Sequence, residues 1–297
     1  MKLKFLVFAA GILFIAGCSS VPITGRKQLN LVSDQEVLSL SLQQYGEYMQ
    51  TAPQSTDAQA KAMVARVGQN IANAVKVYYQ AVGAESMLNG YSWEFSLIRD
   101  GQVNAFCMPG GKIVVYEGIL PYTQDEAGLA VVLGHEVAHA IAKHSNERMS
   151  HQIAAGYGAV ALDALLSKSS GQARQIGQTV FGLGAEFGVM LPYSRKQEFE
   201  ADLLGLIFMS IAGYNPNAAV SFWQRMSQQG SAAPEFMSTH PSDGNRIAEI
   251  QRHLPEAMEY YNAIYGGTTP NIKPAGSGTG GGSSQPSNSN TSNQWTF

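Results

Sequence analysis

The 297-residue chain carries 19 Lys and Arg against 22 Asp and Glu, for a formal net charge of -3, and only 14% of its residues are charged. That balance leaves no basic footprint for nucleic acid, so partner choice has to come from shape and main-chain contacts. A hydrophobic fraction of 45% suffices for one good-sized core, and two cysteines are too few for a disulfide framework.

Lys2 and Lys4 precede an apolar stretch, Phe5 to Ala16, that falls short of the roughly 20 residues needed to span a bilayer. Residues 1–17 therefore read as a secretory signal. The stretch ends Ile15-Ala16-Gly17-Cys18, which resembles the lipobox where bacterial signal peptidases cut before a lipid-modified cysteine. Cys18 is the expected lipidation site, with an ordinary cleaved signal as the plainer alternative. Ser19, not an aspartate, follows it, and by resemblance to sorted lipoproteins this points to the outer membrane over the inner. The expected location is the periplasmic side of the cell envelope, on a lipid anchor. Cys107 is then left without a partner in the chain.

Ser33-Asp34-Gln35-Glu36 is a capping box that opens a helix to about Tyr48. Asp57 to Val75 predicts a second helix, with Met63, Val64, Val67, Ile71 and Val75 on one stripe. Residues 93–99 alternate as a strand, Val103 to Met108 follows, and Pro109-Gly110-Gly111 turns the chain into Lys112 to Tyr116. These segments predict a small sheet.

The run His135-Glu136-Val137-Ala138-His139 carries the most chemistry. Two histidines four apart on a helix face the same way and can grip one metal ion, while the glutamate between them reaches its water. From Asp125 to about Arg148 there is no proline, acids open the segment and Lys143, His144 and Arg148 close it, as a helix dipole favours. Apolar residues surround the motif on every face, so the helix is expected to be buried. Two core histidines and a glutamate without a metal would each need a buried partner within one turn, which is the harder arrangement to satisfy.

A catalytic zinc takes three protein ligands and keeps a fourth position open. A metzincin would place a histidine at 145 and a glycine at 142, but those positions hold Ser145 and Ala142, and His144 is one residue out of place. Ser194 to Asp202 offers a glutamate instead. Glu198 and Asp202 stand four apart on one face with Ala201 and Gly205 beside them, small enough for another helix to approach. Glu198 is the expected third ligand, and Asp202 the expected acceptor of the outward N–H of His135. Glu200 falls on the opposite face.

Between the two ligand helices, Ile153 to Met190 is rich in Ala and Gly and only loosely periodic, fitting either a mobile or membrane-facing hairpin or plain helical packing. From Gly266 onward Gly, Ser, Asn, Thr and Pro predominate, too little apolar surface to offset the entropy of ordering. The expected layout is a signal at 1–17, a lipidated segment and first helix at 18–55, a metallopeptidase domain at 56–265 and a disordered tail at 266–297.

His-Glu-x-x-His, then Ser194-Arg195-x-x-Glu198-x-x-Ala201-Asp202, then His240-Pro241 with Arg246, together resemble the ordered signature of peptidase family M48. Pro22-x-Thr24-Gly25-Arg26 and Asn104-Ala105-Phe106-x-x-Pro109-Gly110-Gly111 look like its bacterial lipoprotein and Oma-type branch. The resemblance implies an α+β, mainly helical gluzincin-type domain with a small β-sheet beside the His-Glu-x-x-His helix. It also implies one Zn²⁺ per chain on His135, His139 and Glu198, with Glu136 as catalytic base and His240 as either oxyanion donor or displaceable fourth ligand. Arg246 would orient the His240 loop or a nearby carboxylate. Substrate would add as a strand along Asn104, Ala105 and Phe106, through main-chain hydrogen bonds that tolerate many sequences. The expected activity is zinc-dependent endoproteolysis of unfolded or misassembled cell-envelope proteins. The rival reading is a periplasmic chaperone or assembly factor with a structural zinc, for which Glu136 would have no use.

Overall fold

The computed structural model describes residues 18–21, 24–153, 194–228, 234–240 and 245–273. The signal at 1–17 and the stretch read at 153–190 lie outside them, Ile153 apart. A short antiparallel pair, β1 (Cys18–Ser20) with β2 (Lys27–Leu29), leads into α1 (Asp34–Met49) and α2 (Ala58–Ala81). Ser33 and Asp57 cap the two helices through their side chains. The second helix runs six residues past the expected stripe, because Tyr78 and Tyr79 continue its buried face.

The sheet has the order β3 (Glu94–Ile98), β5 (Lys112–Tyr116), β4 (Ala105–Met108), with β3 parallel and β4 antiparallel to the central β5. Both faces are covered, which explains why the strands are so apolar. Leu97, Ala105, Cys107, Ile113 and Val115 join the main core with α2 and the metal-site helices. Ile98, Phe106, Met108, Val114 and Tyr116 pack instead against Val37, Tyr45 and Tyr48 of α1. Gly110 and Gly111 both have positive φ in the β4–β5 turn, a conformation glycine adopts without penalty.

Beyond the short α3 (Leu120–Thr123), α4 (Glu126–Ile141) carries the His-Glu-x-x-His run and is buried from Gly128 to Ile141. The expected single helix to Arg148 is in fact two. Lys143 takes a left-handed conformation (φ 59) and α5 (His144–Gln152) sets off from it. The cost of that backbone, about 1 kcal/mol for a residue with a Cβ, is set against an ion pair from Lys143 to Asp34 at 2.6 Å. After α6 (Arg195–Ile211), α7 (Asn217–Gln228) and α8 (Pro234–Thr239), the long α9 (Arg246–Tyr265) closes the domain. The chain does not leave the body at Gly266: Ile272 packs against the core, and the Lys273 carbonyl accepts a hydrogen bond from Tyr78 at 2.9 Å. The rest of the expected tail lies outside the described residues. Among the described residues no helix is long and apolar enough to cross a membrane.

Candidate metal centre

Three helices and one loop converge on a single point. Asp125 caps α4 and accepts from the Gly128 amide at 2.8 Å, fixing where the motif begins. A reciprocal capping box between Ser194 and Gln197 starts α6, so Glu198 falls in its first turn. Where the two helices cross, Gly134 and Gly205 put backbone against backbone. His240 arrives at the end of α8, its ring 4.8 Å from that of Phe236.

Ligand atoms of His135, His139, Glu198 and His240, all buried, lie within 4.8 Å of one another. His135 Nε2 is 3.0 Å from His139 Nε2 and 3.1 Å from His240 Nδ1. The carboxylate oxygens of Glu198 lie 3.3 Å from His139 Nε2, 3.5 Å from His135 Nε2 and 3.2 Å from His240 Nδ1. Zinc bonds of about 2.0–2.1 Å place tetrahedral corners about 3.3 Å apart, so these spacings fit the ion. The donor set of imidazoles and one carboxylate fits it as well.

Glu136 sits beside the cluster with its Oε1 buried and without a hydrogen-bond partner; His240 Nε2, 3.2 Å away, is badly aligned for one. Burial raises the Glu136 carboxyl above its ordinary range, against the pull of His240 and His135. A buried, unpartnered carboxylate oxygen facing a ligand cluster is placed to meet water or substrate. Burial disfavours charge on Glu198 too, yet His240, His135 and His139 outweigh it and hold that carboxyl well below the usual range.

Asp202 Oδ1 lies 2.9 Å from His135 Nδ1. Burial works against protonation of His135, but hydrogen bonds to Asp202 and Glu198 prevail and push it up to about 9. Arg246 is wholly buried. It forks onto Asp202 with two bonds of 2.8 Å, donates to Glu198 at 2.9 Å and stacks 3.4 Å above the Trp223 ring. It also donates to the His240 carbonyl at 3.4 Å, so its contacts reach both the carboxylates and the end of α8.

Asn104, Ala105 and Phe106 lie at the start of β4, the outer strand of its sheet. Asn104 and Phe106 are buried and the Asn104 carbonyl accepts from the Tyr116 amide. Glu200 points away from Glu198, as its place on the helix requires. It is buried, with Oε2 2.8 Å from His144 Nε2, and His144 Nδ1 is in turn 2.8 Å from His139 Nδ1. Trp223, His144, Glu200 and Arg26 were not singled out from sequence as parts of a site.

The family model for peptidase family M48 matches residues 58–254. The chain belongs to peptidase family M48. It is 37% identical over 264 residues to the mitochondrial metalloendopeptidase OMA1 of Schizosaccharomyces pombe, covering 85% of this chain and 71% of that one. Against the mitochondrial metalloendopeptidase OMA1 of Homo sapiens it is 29% identical, covering 80% of this chain and 46% of the relative. Against the beta-barrel assembly-enhancing protease of Yersinia pestis it is 30% identical, covering 63% and 40%. M48 membership makes the chain a zinc metalloendopeptidase, and the His-His-Glu-His cluster is where one such ion fits.

Proposed function

We propose that the chain is a quality-control endopeptidase of the cell envelope, with Zn²⁺ held by His135, His139 and Glu198 and with Glu136 as general base. The observation that carries this reading is the clustering of four buried ligand atoms beside a buried carboxylate oxygen that has no hydrogen-bond partner. Zinc supplies Lewis acidity there and brings the pKa of water to about 7. Glu136 takes the water's proton and delivers it to the leaving nitrogen.

His240 is read as a cap on the resting site. Its Nδ1 lies among the candidate ligand atoms with its Nε2 against Glu136, so it would be a fourth residue holding the ion and substrate would have to displace it. Asp202 fixes the tautomer of His135, and Arg246 neutralises Asp202 and Glu198 where water cannot. Extended substrate adds along Asn104 to Phe106 at the side of β4 away from β5, favouring unfolded segments in which main-chain groups are available. Lipid on Cys18 anchors the domain to the periplasmic face of the outer membrane. The layout we favour is a signal at 1–17, an anchoring segment at 18–55, the peptidase at 56–265 and a tail beyond.

The test is to measure zinc content and cleavage of an unfolded polypeptide by wild type and Glu136→Gln. The variant should keep one zinc per chain and lose about 10² to 10⁴ of the rate, since its amide cannot accept a proton. Near-normal cleavage would remove Glu136 from the mechanism.

A further inference from the structure

Where the outward Nδ1 of His135 meets Asp202, that of His139 meets His144, and the groups behind His144 lead out of the domain core to the N-terminal segment. Resting on the metal reading above, we propose that His144, Glu200 and Arg26 form a positioning relay for His139. On this view the segment before the family-matched residues 58–254 is a working part of the metal site.

The direction of each bond follows from the first. With Nε2 of His139 turned to the ligand cluster, its proton sits on Nδ1 and is donated outward. The acceptor is His144 Nδ1, 2.8 Å away. For that nitrogen to accept, the proton of His144 must sit on Nε2, which then donates to Glu200 Oε2 at 2.8 Å. One carboxylate thereby selects the tautomers of two imidazoles and aims the lone pair of a ligand.

Glu200 is itself fixed from the N-terminal segment. The Thr24 hydroxyl donates to its Oε1 and Arg26 Nε donates to its Oε2 at 2.6 Å. The other guanidinium nitrogens fork onto Glu147 of α5, both at 2.8 Å, and Glu147 also accepts from Gln197 of α6 at 2.7 Å. Arg26 thus bridges two carboxylates, on side chains only 8% and 4% exposed, that would otherwise repel across the α5–α6 contact. A lysine could hold one of them but not fork the other.

The experiment compares Arg26→Ala, Arg26→Lys, Glu200→Ala and the Arg26→Ala/Glu200→Ala double variant with wild type. Zinc affinity is read by competition with a coloured chelator, ligand geometry by the visible spectrum of the cobalt-substituted protein, and folding by the thermal midpoint of the metal-free protein. Glu200→Ala should weaken zinc about 10- to 100-fold and shift the cobalt bands. Arg26→Ala should move both readouts the same way but less, Arg26→Lys should recover part of the loss, and the double variant should bind no worse than Glu200→Ala, because the two act along one path. A folded Arg26→Ala protein with wild-type affinity and spectrum overturns the proposal, and it decides the matter even if Glu200→Ala fails to fold. Wild type that takes up no zinc would overturn the metal reading itself, a different result from a wild type that binds and an Arg26 variant that binds equally well.

Discussion

Gly134 and Gly205 touch backbone to backbone: a Cβ on Gly205 would lie 2.9 Å from the amide nitrogen of His135 and 3.0 Å from the carbonyl carbon of Gly134. This is the contact that lets one helix bring two histidines and another bring Glu198 to the same point. Because the obstacle is backbone, no side chain can rotate away to make room.

Gly205→Ala should therefore force α4 and α6 apart, costing about 1–3 kcal/mol of stability as overpacking does. Zinc affinity should fall with it, because Glu198 and Asp202 move relative to His135. Denaturant unfolding of the metal-free variant together with chelator competition checks both; normal zinc affinity would show that the ligands tolerate a wider crossing.

His240→Ala separates the two roles that the sequence left open. As a cap on the resting site its loss should tighten binding of hydroxamate-type ligands and leave cleavage unchanged or faster, since a competitor is gone. As an oxyanion donor its loss should lower kcat by roughly 10² to 10³ at nearly constant KM. The position of Nδ1 at a ligand corner predicts the first pattern, and steady-state kinetics with an inhibitor titration decides it.

Cys18→Ala should abolish incorporation of labelled acyl chains and release the protein from the membrane fraction. Unchanged labelling would mean that Cys18 is not the acceptor.

Cys107 faces the core from β4 and is 5% exposed. Burial, and then the Glu136 charge, push its thiol well above the ordinary value, so the thiolate is scarce even near pH 8.5, where an unperturbed cysteine is half ionised. Native protein should alkylate with iodoacetamide many-fold more slowly than denatured protein, measured by mass spectrometry over time. Equal rates would show that the β4 face opens freely.

How much of this could be read from the chain depends on how local each piece is. Helical spacing alone puts His135 and His139 on one face with Glu136 beside them, and Asp202 follows from Glu198 by the same i, i+4 rule, so this grouping of residues could be drawn from the chain. The alternation at 93–99 and the turn at Pro109-Gly110-Gly111 likewise gave the sheet. The break at Lys143 was not legible, because neither glycine nor proline marks it and the left-handed turn is held by a contact with Asp34 far away in sequence. That turn is what brings His144 back onto His139. A helical wheel gives the direction of Glu200 but not what meets it, and what meets it is His144 from another helix. Trp223 under Arg246 is a purely tertiary pairing.

The Arg26–Glu200 bond joins residues 174 apart in the chain. At roughly 5–20 residues per second, translation separates the two by about 10–35 s. Over the last third or so of that interval a nascent chain holds the His-Glu-x-x-His run but lacks Glu198, and His240 and Arg246 emerge later still. Order of synthesis alone therefore withholds the third candidate ligand until α6 is made, and the arginine that grips its carboxylate until the final helix, α9.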